Sequence, residues 1–145
     1  MNVSPHFSND ELKCHSGINC PHCGGQNRCT VRLLTALEAL RRVAGNVPIR
    51  VNSAYRCAAH NAEIGGVPDS EHVLGNAADI VIEGMTAAQM YRKARLVTAF
   101  RAGGIGVAIL QGYIHVDVRP SPARWCYDAA GAQTVWNVAT VAAAA

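Results

Sequence analysis

The sequence predicts an α+β fold: a small antiparallel sheet packed against helices, behind an irregular, cysteine-rich N-terminal segment. Three observations lead there. Apolar residues recur at helical spacing over 31–44 and again over 87–97. Short β-branched runs at 49–52, 79–82 and 107–110, and an alternating run at 113–118, read as strands. The first 29 residues keep neither period, and Pro, Gly, Asn and Cys recur there instead.

A chain of 145 residues can bury one real core and is too short for two, so 1–145 reads as a single domain. Residues 1–29 form its cysteine-rich segment and 30–140 its core. Apolar residues make up 50% and charged ones 16%, a globular rather than a disordered balance. The net charge of +3 is compatible with an anionic partner such as a cell wall or nucleic acid, and requires neither. No apolar run approaches the roughly 20 residues that span a bilayer. Met1 to Phe7 lacks the basic-then-apolar pattern of a secretory signal, so the chain is expected to be made in the cytoplasm and to act elsewhere only after lysis, export or delivery.

In chain order, Phe7 and Leu12 are the residues that could anchor the N-terminal segment. Thr30 is a suitable N-cap for the first helix, whose stripe is Val31, Leu33, Leu34, Leu37, Leu40, Val43 and Ala44, ended by Gly45-Asn46. Pro48 opens the strand 49–52, and a short helical piece follows Cys57. Gly65 to Asp69 is a loop. After the strand 79–82, Thr86 and Gln89 stand in capping-box register for a second helix, which runs on until Gly103-Gly104. The runs 107–110 and 113–118, joined through Gln111-Gly112, suggest an antiparallel hairpin that Pro120 and Pro122 end. Trp125 and Trp136 are expected to close the core, and the last alanines to fray.

Four cysteines cluster in sequence, Cys14, Cys20, Cys23 and Cys29, while Cys57 and Cys126 are isolated. Cys20-Pro21-His22-Cys23 has the spacing of a zinc knuckle, and His15 or His22 could join it. Disulfides and a second, structural zinc both remain open. His60 reads as a surface or packing residue.

The chemistry concentrates in two places. His72 and Asp79 are zinc-type donors separated by a bend at Gly75. On the strand 113–118, Ile114, Val116 and Val118 point to the core, so Tyr113, His115, Asp117 and Arg119 share the other face. Glu71 reads as solvated.

Ser70-x-His72-x-x-Gly75-x-Ala77-Ala78-Asp79 followed by His115-Val116-Asp117 resembles the zinc D-Ala-D-Ala carboxypeptidase and L-alanyl-D-glutamate peptidase family. Asn52 to Arg56 and Asn61 to Pro68 share the resemblance, which covers most of 30–120. It implies the fold shared with Hedgehog signalling domains and hydrolysis of peptidoglycan stem peptides or cross-links. It also implies a zinc ion held by His72, Asp79 and His115, with the fourth position left for water. Arg56 would face the substrate, and Ser70 would orient substrate or a ligand. The chain departs from better-known members at the general base, where Gly112 and Tyr113 stand in place of an acid or a His. Asp117 is then the nearest base, or else it holds His115 or Arg56 in place, with Tyr113 as an oxyanion donor.

Peptidoglycan is the partner this implies, and the small size fits a phage-type lysin or a virion-carried peptidase. The alternative is a zinc-containing wall-binding module without catalysis. A nucleic-acid partner is not expected, because no Lys/Arg stripe interleaved with aromatics is present.

Overall fold

The computed structural model describes residues 1–15 and 18–144. Ser16, Gly17 and Ala145, and the readings of an irregular segment and a frayed tail as far as they touch them, lie outside the described residues.

The N-terminus is more regular than its composition suggests. β1 (Asn2–Ser4) and β2 (Phe7–Ser8) pair antiparallel and lead into α1 (Asn9–Leu12). Ser8 and Glu11 form a reciprocal capping box, a signature present in the sequence but overshadowed by the cysteines that follow. Phe7 and Leu12 are fully buried, as anchors should be. The hairpin is also held by one buried carboxylate. Glu38 accepts from Ser4 Oγ at 2.7 Å and from the His6 backbone N–H at 2.8 Å, and meets His6 Nδ1 at 2.7 Å.

α2 (Val31–Val43) starts where Thr30 accepts from the Leu33 N–H. Leu33, Leu37 and Leu40 carry its buried face, while Val31 stays exposed at the end of the stripe. Then come β3 (Ile49–Ser53), α3 (Ala58–Glu63), β4 (Ala77–Ile82) and α4 (Ala87–Ala94), the last with the expected Thr86/Gln89 capping box. The expected single helix to residue 102 is two. Val97 leaves helical geometry at φ −87°, ψ 118° and caps α5 (Thr98–Arg101), which buries Val97 and Phe100 together. A β-branched residue tolerates that extended conformation readily.

β5 (Gly104–Ala108), β6 (Tyr113–Asp117), β7 (Ala123–Tyr127) and β8 (Gln133–Val135) complete a six-stranded sheet of order β3-β4-β6-β5-β7-β8. β5 starts three residues earlier than its β-branched run and β6 pairs with it as the expected hairpin. Pro120 and Pro122 end β6 but not the sheet. The chain steps past β5 and returns parallel to it as β7, so the sheet contains one parallel pair. α6 (Val138–Ala143) gives the C-terminal alanines a helical turn that buries Val141. Ile80, Ile82, Ile105, Val107, Ile114 and Val116 form the sheet's contribution to the core with α2, α4 and α5. The opposite side chains of β4 and β6 are thereby free to build a site.

Candidate metal centre

Strand register assembles this site. Ser53 on β3 pairs with Asp79 on β4, Asp79 with His115 on β6, His115 with Gly106 on β5, and Gly106 with Trp125 on β7. These residues form one row across the sheet. Residues directly opposite on antiparallel strands bring their side chains within reach of each other, and Asp79 Oδ1 lies 3.1 Å from His115 Nδ1. Gly106 leaves room in the row, because a Cβ there would strike the Trp125 indole. Trp125 therefore leans over the glycine to its ring contact with His115, centroids 5.0 Å apart. The expected role of Trp125 as a core closer is corrected accordingly: it lines the site.

His72 arrives from the loop before β4. Gly75, at φ +75°, makes the bend, and its pro-side-chain direction faces the Arg28 carbonyl, where no Cβ fits. The His72 Nδ1–H donates to the Ala54 carbonyl at 2.7 Å, leaving Nε2 to face Asp79 Oδ1 at 3.4 Å. His115 is held in the opposite sense: Nε2 meets Asp117 Oδ2 at 2.7 Å and Nδ1 faces Asp79. The three donor atoms lie within 4.8 Å of one another. A tetrahedral ion with bonds of about 2.0–2.1 Å would separate its ligand atoms by about 3.3 Å, and the two donor pairs at 3.4 and 3.1 Å match that edge. The donor set fits zinc in identity and in spacing.

The electrostatics treat the two imidazoles differently. Burial pushes His72 below its ordinary value and keeps the imidazole neutral, the form that binds metals. Burial opposes the charge on Asp79, but His72 and His115 outweigh it and hold the carboxyl well below the usual range. Burial also works against a charged His115; its hydrogen bonds to Asp117 and Asp79 win and push it up to about 9.

Asp117 is not the open carboxylate that a base on the strand face requires. It is fully buried. Its oxygens take five hydrogen bonds: from His115 Nε2, the Gly104 N–H, and the backbone N–H, Nε and Nη2 of Arg119. The last lies at 2.6 Å, and the Arg119 guanidinium then spreads over the Trp125 ring at 5.0 Å.

A cleft of about 580 Å³ opens above the row, and Arg56, Ser70, Glu71, Tyr113, Arg119 and Tyr127 line it around the three donors. Arg56 is fixed by Nη1 donating to Asn61 Oδ1 at 3.0 Å, and its Nε is buried with no partner among the described residues. The Ser70 hydroxyl accepts the His72 backbone N–H at 3.3 Å, so it caps the turn that carries His72. Burial and the nearby Asp79 charge push the Tyr113 phenol up, which keeps it a proton donor, and its ring lies 5.6 Å from that of Tyr127. The sequence reading missed Tyr127, for which no signal existed while β7 was unrecognised. Glu71, read as solvated, lines the cleft and accepts from Asn76 Nδ2 at 3.3 Å.

The cysteines group differently from their sequence spacing. The sulfurs that converge are Cys14, Cys20, Cys23 and Cys57. Cys29, expected among them, instead turns its thiol towards the Leu12 carbonyl at 3.7 Å. The reason is β3, which carries Cys57 back to the N-terminal segment through the Tyr55 N–H bond to the Leu12 carbonyl, 3.1 Å. Neither nearby histidine joins: His22 pairs with Glu63 at 2.8 Å, and His15 stacks on His60 at 3.9 Å, where His60 is buried.

A mixed sheet carrying a His-Asp-His donor set at the floor of a polar cleft is the architecture of a metal-dependent hydrolase. The chain belongs to the Peptidase M15 family, whose pattern matches residues 5–117. It is also similar to the zinc D-Ala-D-Ala carboxypeptidase of Streptomyces albus G, 41% identical over 44 residues that make up 30% of this chain and 17% of that enzyme.

Proposed function

We propose that the chain is a zinc metallopeptidase that hydrolyses peptide bonds in bacterial peptidoglycan, in stem peptides or their cross-links. The convergence of His72 Nε2, Asp79 Oδ1 and His115 Nδ1 on one cleft carries this reading, since both imidazoles have their second nitrogen already engaged. Family membership and the carboxypeptidase similarity support the reaction class. When bound, zinc supplies Lewis acidity, which acidifies water and polarises a carbonyl.

The chain's own residues do the rest. Asp117 accepts from His115 Nε2 and fixes the ring so that Nδ1 faces the metal position, the orienting role that carboxylates play behind metal-binding imidazoles. Taking a proton from water requires a group that faces the cleft, where Asp69 and Glu71 are the carboxylates besides Asp79. The forked guanidinium of Arg56, which lines the cleft, is suited to a substrate carboxylate or a polarised carbonyl oxygen. The Tyr113 hydroxyl remains protonated and can donate to the same oxygen.

The test is digestion of purified peptidoglycan followed by mass spectrometry of the fragments. New amino termini are expected at one type of peptide bond, abolished by a chelator and restored by zinc. Zinc-loaded protein that binds wall and releases no amino groups would replace this reading with that of a wall-binding module.

A further inference from the structure

A second donor cluster lies outside the cleft and plays no part in its chemistry. The Cys14, Cys20, Cys23 and Cys57 sulfurs lie within 4.8 Å of one another, Cys23 being half-buried and the others buried. Cys20 Sγ and Cys57 Sγ are 3.8 Å apart. Tetrahedral metal–sulfur bonds of about 2.3 Å give sulfur–sulfur edges of about 3.8 Å, whereas a disulfide requires about 2.05 Å. The spacing is that of ligands around an ion.

Burial pushes the Cys14 and Cys57 thiols up, and backbone hydrogen bonds work against it. Backbone N–H groups point at three of the sulfurs: Cys57 N–H at Cys14 (3.3 Å), His60 N–H at Cys57 (3.4 Å) and Gln26 N–H at Cys23 (3.4 Å). Hydrogen bonds donated to sulfur stabilise its charged form. Four thiolates packed together need a cation among them, because buried like charges without one are strongly unfavourable. The turn Cys20-Pro21-His22-Cys23-Gly24-Gly25 presents two of the ligands, closed by the Gly24 N–H on the Cys20 carbonyl at 2.7 Å.

We propose that Cys14, Cys20, Cys23 and Cys57 hold a structural zinc ion in a closed all-cysteine site. Four protein ligands leave no position for water, which makes the site structural rather than catalytic. The ion ties Cys14, Cys20 and Cys23 to the N-cap of α3, one residue from Arg56. Arg56 is secured on its other side by its backbone N–H on the His72 carbonyl at 3.2 Å. The metal thus stiffens the backbone that aims the cleft arginine.

The test counts metal and thiols in the zinc-loaded protein. His115→Ala is expected to keep one zinc that a thiol-blocking mercurial releases, which separates this site from the cleft. Cys14→Ser and Cys57→Ser should lose that zinc, while Cys29→Ser and Cys126→Ser keep it. Should the first two fail to fold, cobalt loading of the otherwise intact His115→Ala protein gives the answer. An intense sulfur-to-cobalt charge-transfer band in the near ultraviolet is expected, abolished by the mercurial. Disulfides among these four cysteines, a zinc that survives thiol blocking, absence of that band, or iron in the isolated protein would each overturn the assignment.

Discussion

The two donor clusters differ in what holds them. Asp79 and His115 sit on paired strands and His72 in the turn before β4, and both imidazoles are fixed by a neighbour that is not a ligand: Ala54 for His72, Asp117 for His115. The cysteine cluster draws Cys14, Cys20 and Cys23 from outside the regular elements of the N-terminal segment and Cys57 from a helix cap. In the first case the scaffold positions the donors for a metal. In the second the proposed metal positions the scaffold, because Cys14, Cys20 and Cys23 lie outside any helix or strand. Rigid, preorganised ligands suit a site that must present one geometry to a substrate, and loop ligands suit a staple.

That contrast can be broken most severely at the cleft. His115→Ala is expected to abolish release of amino groups from peptidoglycan, while circular dichroism and the thermal midpoint show an intact fold. A collapse of the fold would mean that the cleft site, too, is a staple. Next in size is Asp117→Asn, which weakens the hold on His115 Nε2. Zinc affinity, measured by competition with a chromophoric chelator, should fall by about 10–100-fold. If zinc affinity stays at the parental value while the pH–rate profile loses its acid limb, Asp117 would be the base rather than the positioning residue. Glu71→Gln provides the matching control, with its effect expected in kcat and not in zinc affinity.

Smaller effects follow from packing. Gly106→Ala drives a methyl into the Trp125 indole, and overpacking of this kind costs about 1–3 kcal/mol. The ring must then shift against His115, so kcat/KM should fall with the stability. Unchanged Trp fluorescence and activity would show that the row across the sheet is looser than its register implies. The smallest effect concerns the N-terminal hairpin. Burial disfavours charge on Glu38, but the hydrogen bonds from His6 and Ser4 outweigh it and hold the carboxyl below its ordinary value of 4.5. A carboxyl depressed on folding adds stability that is fully present above 4.5 and lost as pH falls through the folded value. Glu38→Gln should therefore cost about 1 kcal/mol at neutral pH and less in acid, read from denaturant midpoints across pH. A pH-independent difference would assign the effect to packing.

Much of the core was legible because it follows local rules. Thr30 and the Thr86/Gln89 pair mark helix starts, and the alternation of 113–118 puts Tyr113, His115 and Asp117 on one side. Elements that failed were those whose conformation depends on distant partners. β7 was hidden behind two prolines because nothing in Ala123 to Tyr127 shows that β5 has an open edge. Val97 breaks its helix to fill a space that only the folded core defines.

The site divides in the same way. By itself the sequence marked the candidate donors, His72, Asp79 and His115, through residue type, spacing and the family resemblance that those motifs carry, all of which are local properties. Tertiary structure decided how they are used. Register set Asp79 opposite His115 and brought Trp125 over Gly106. Burial of Asp117 behind His115 gave its carboxylate to a ring nitrogen and an arginine instead of to the cleft. The exchange of Cys29 for Cys57 has the same origin: neighbours in space are chosen by the packing of the whole chain, which sequence distance does not encode.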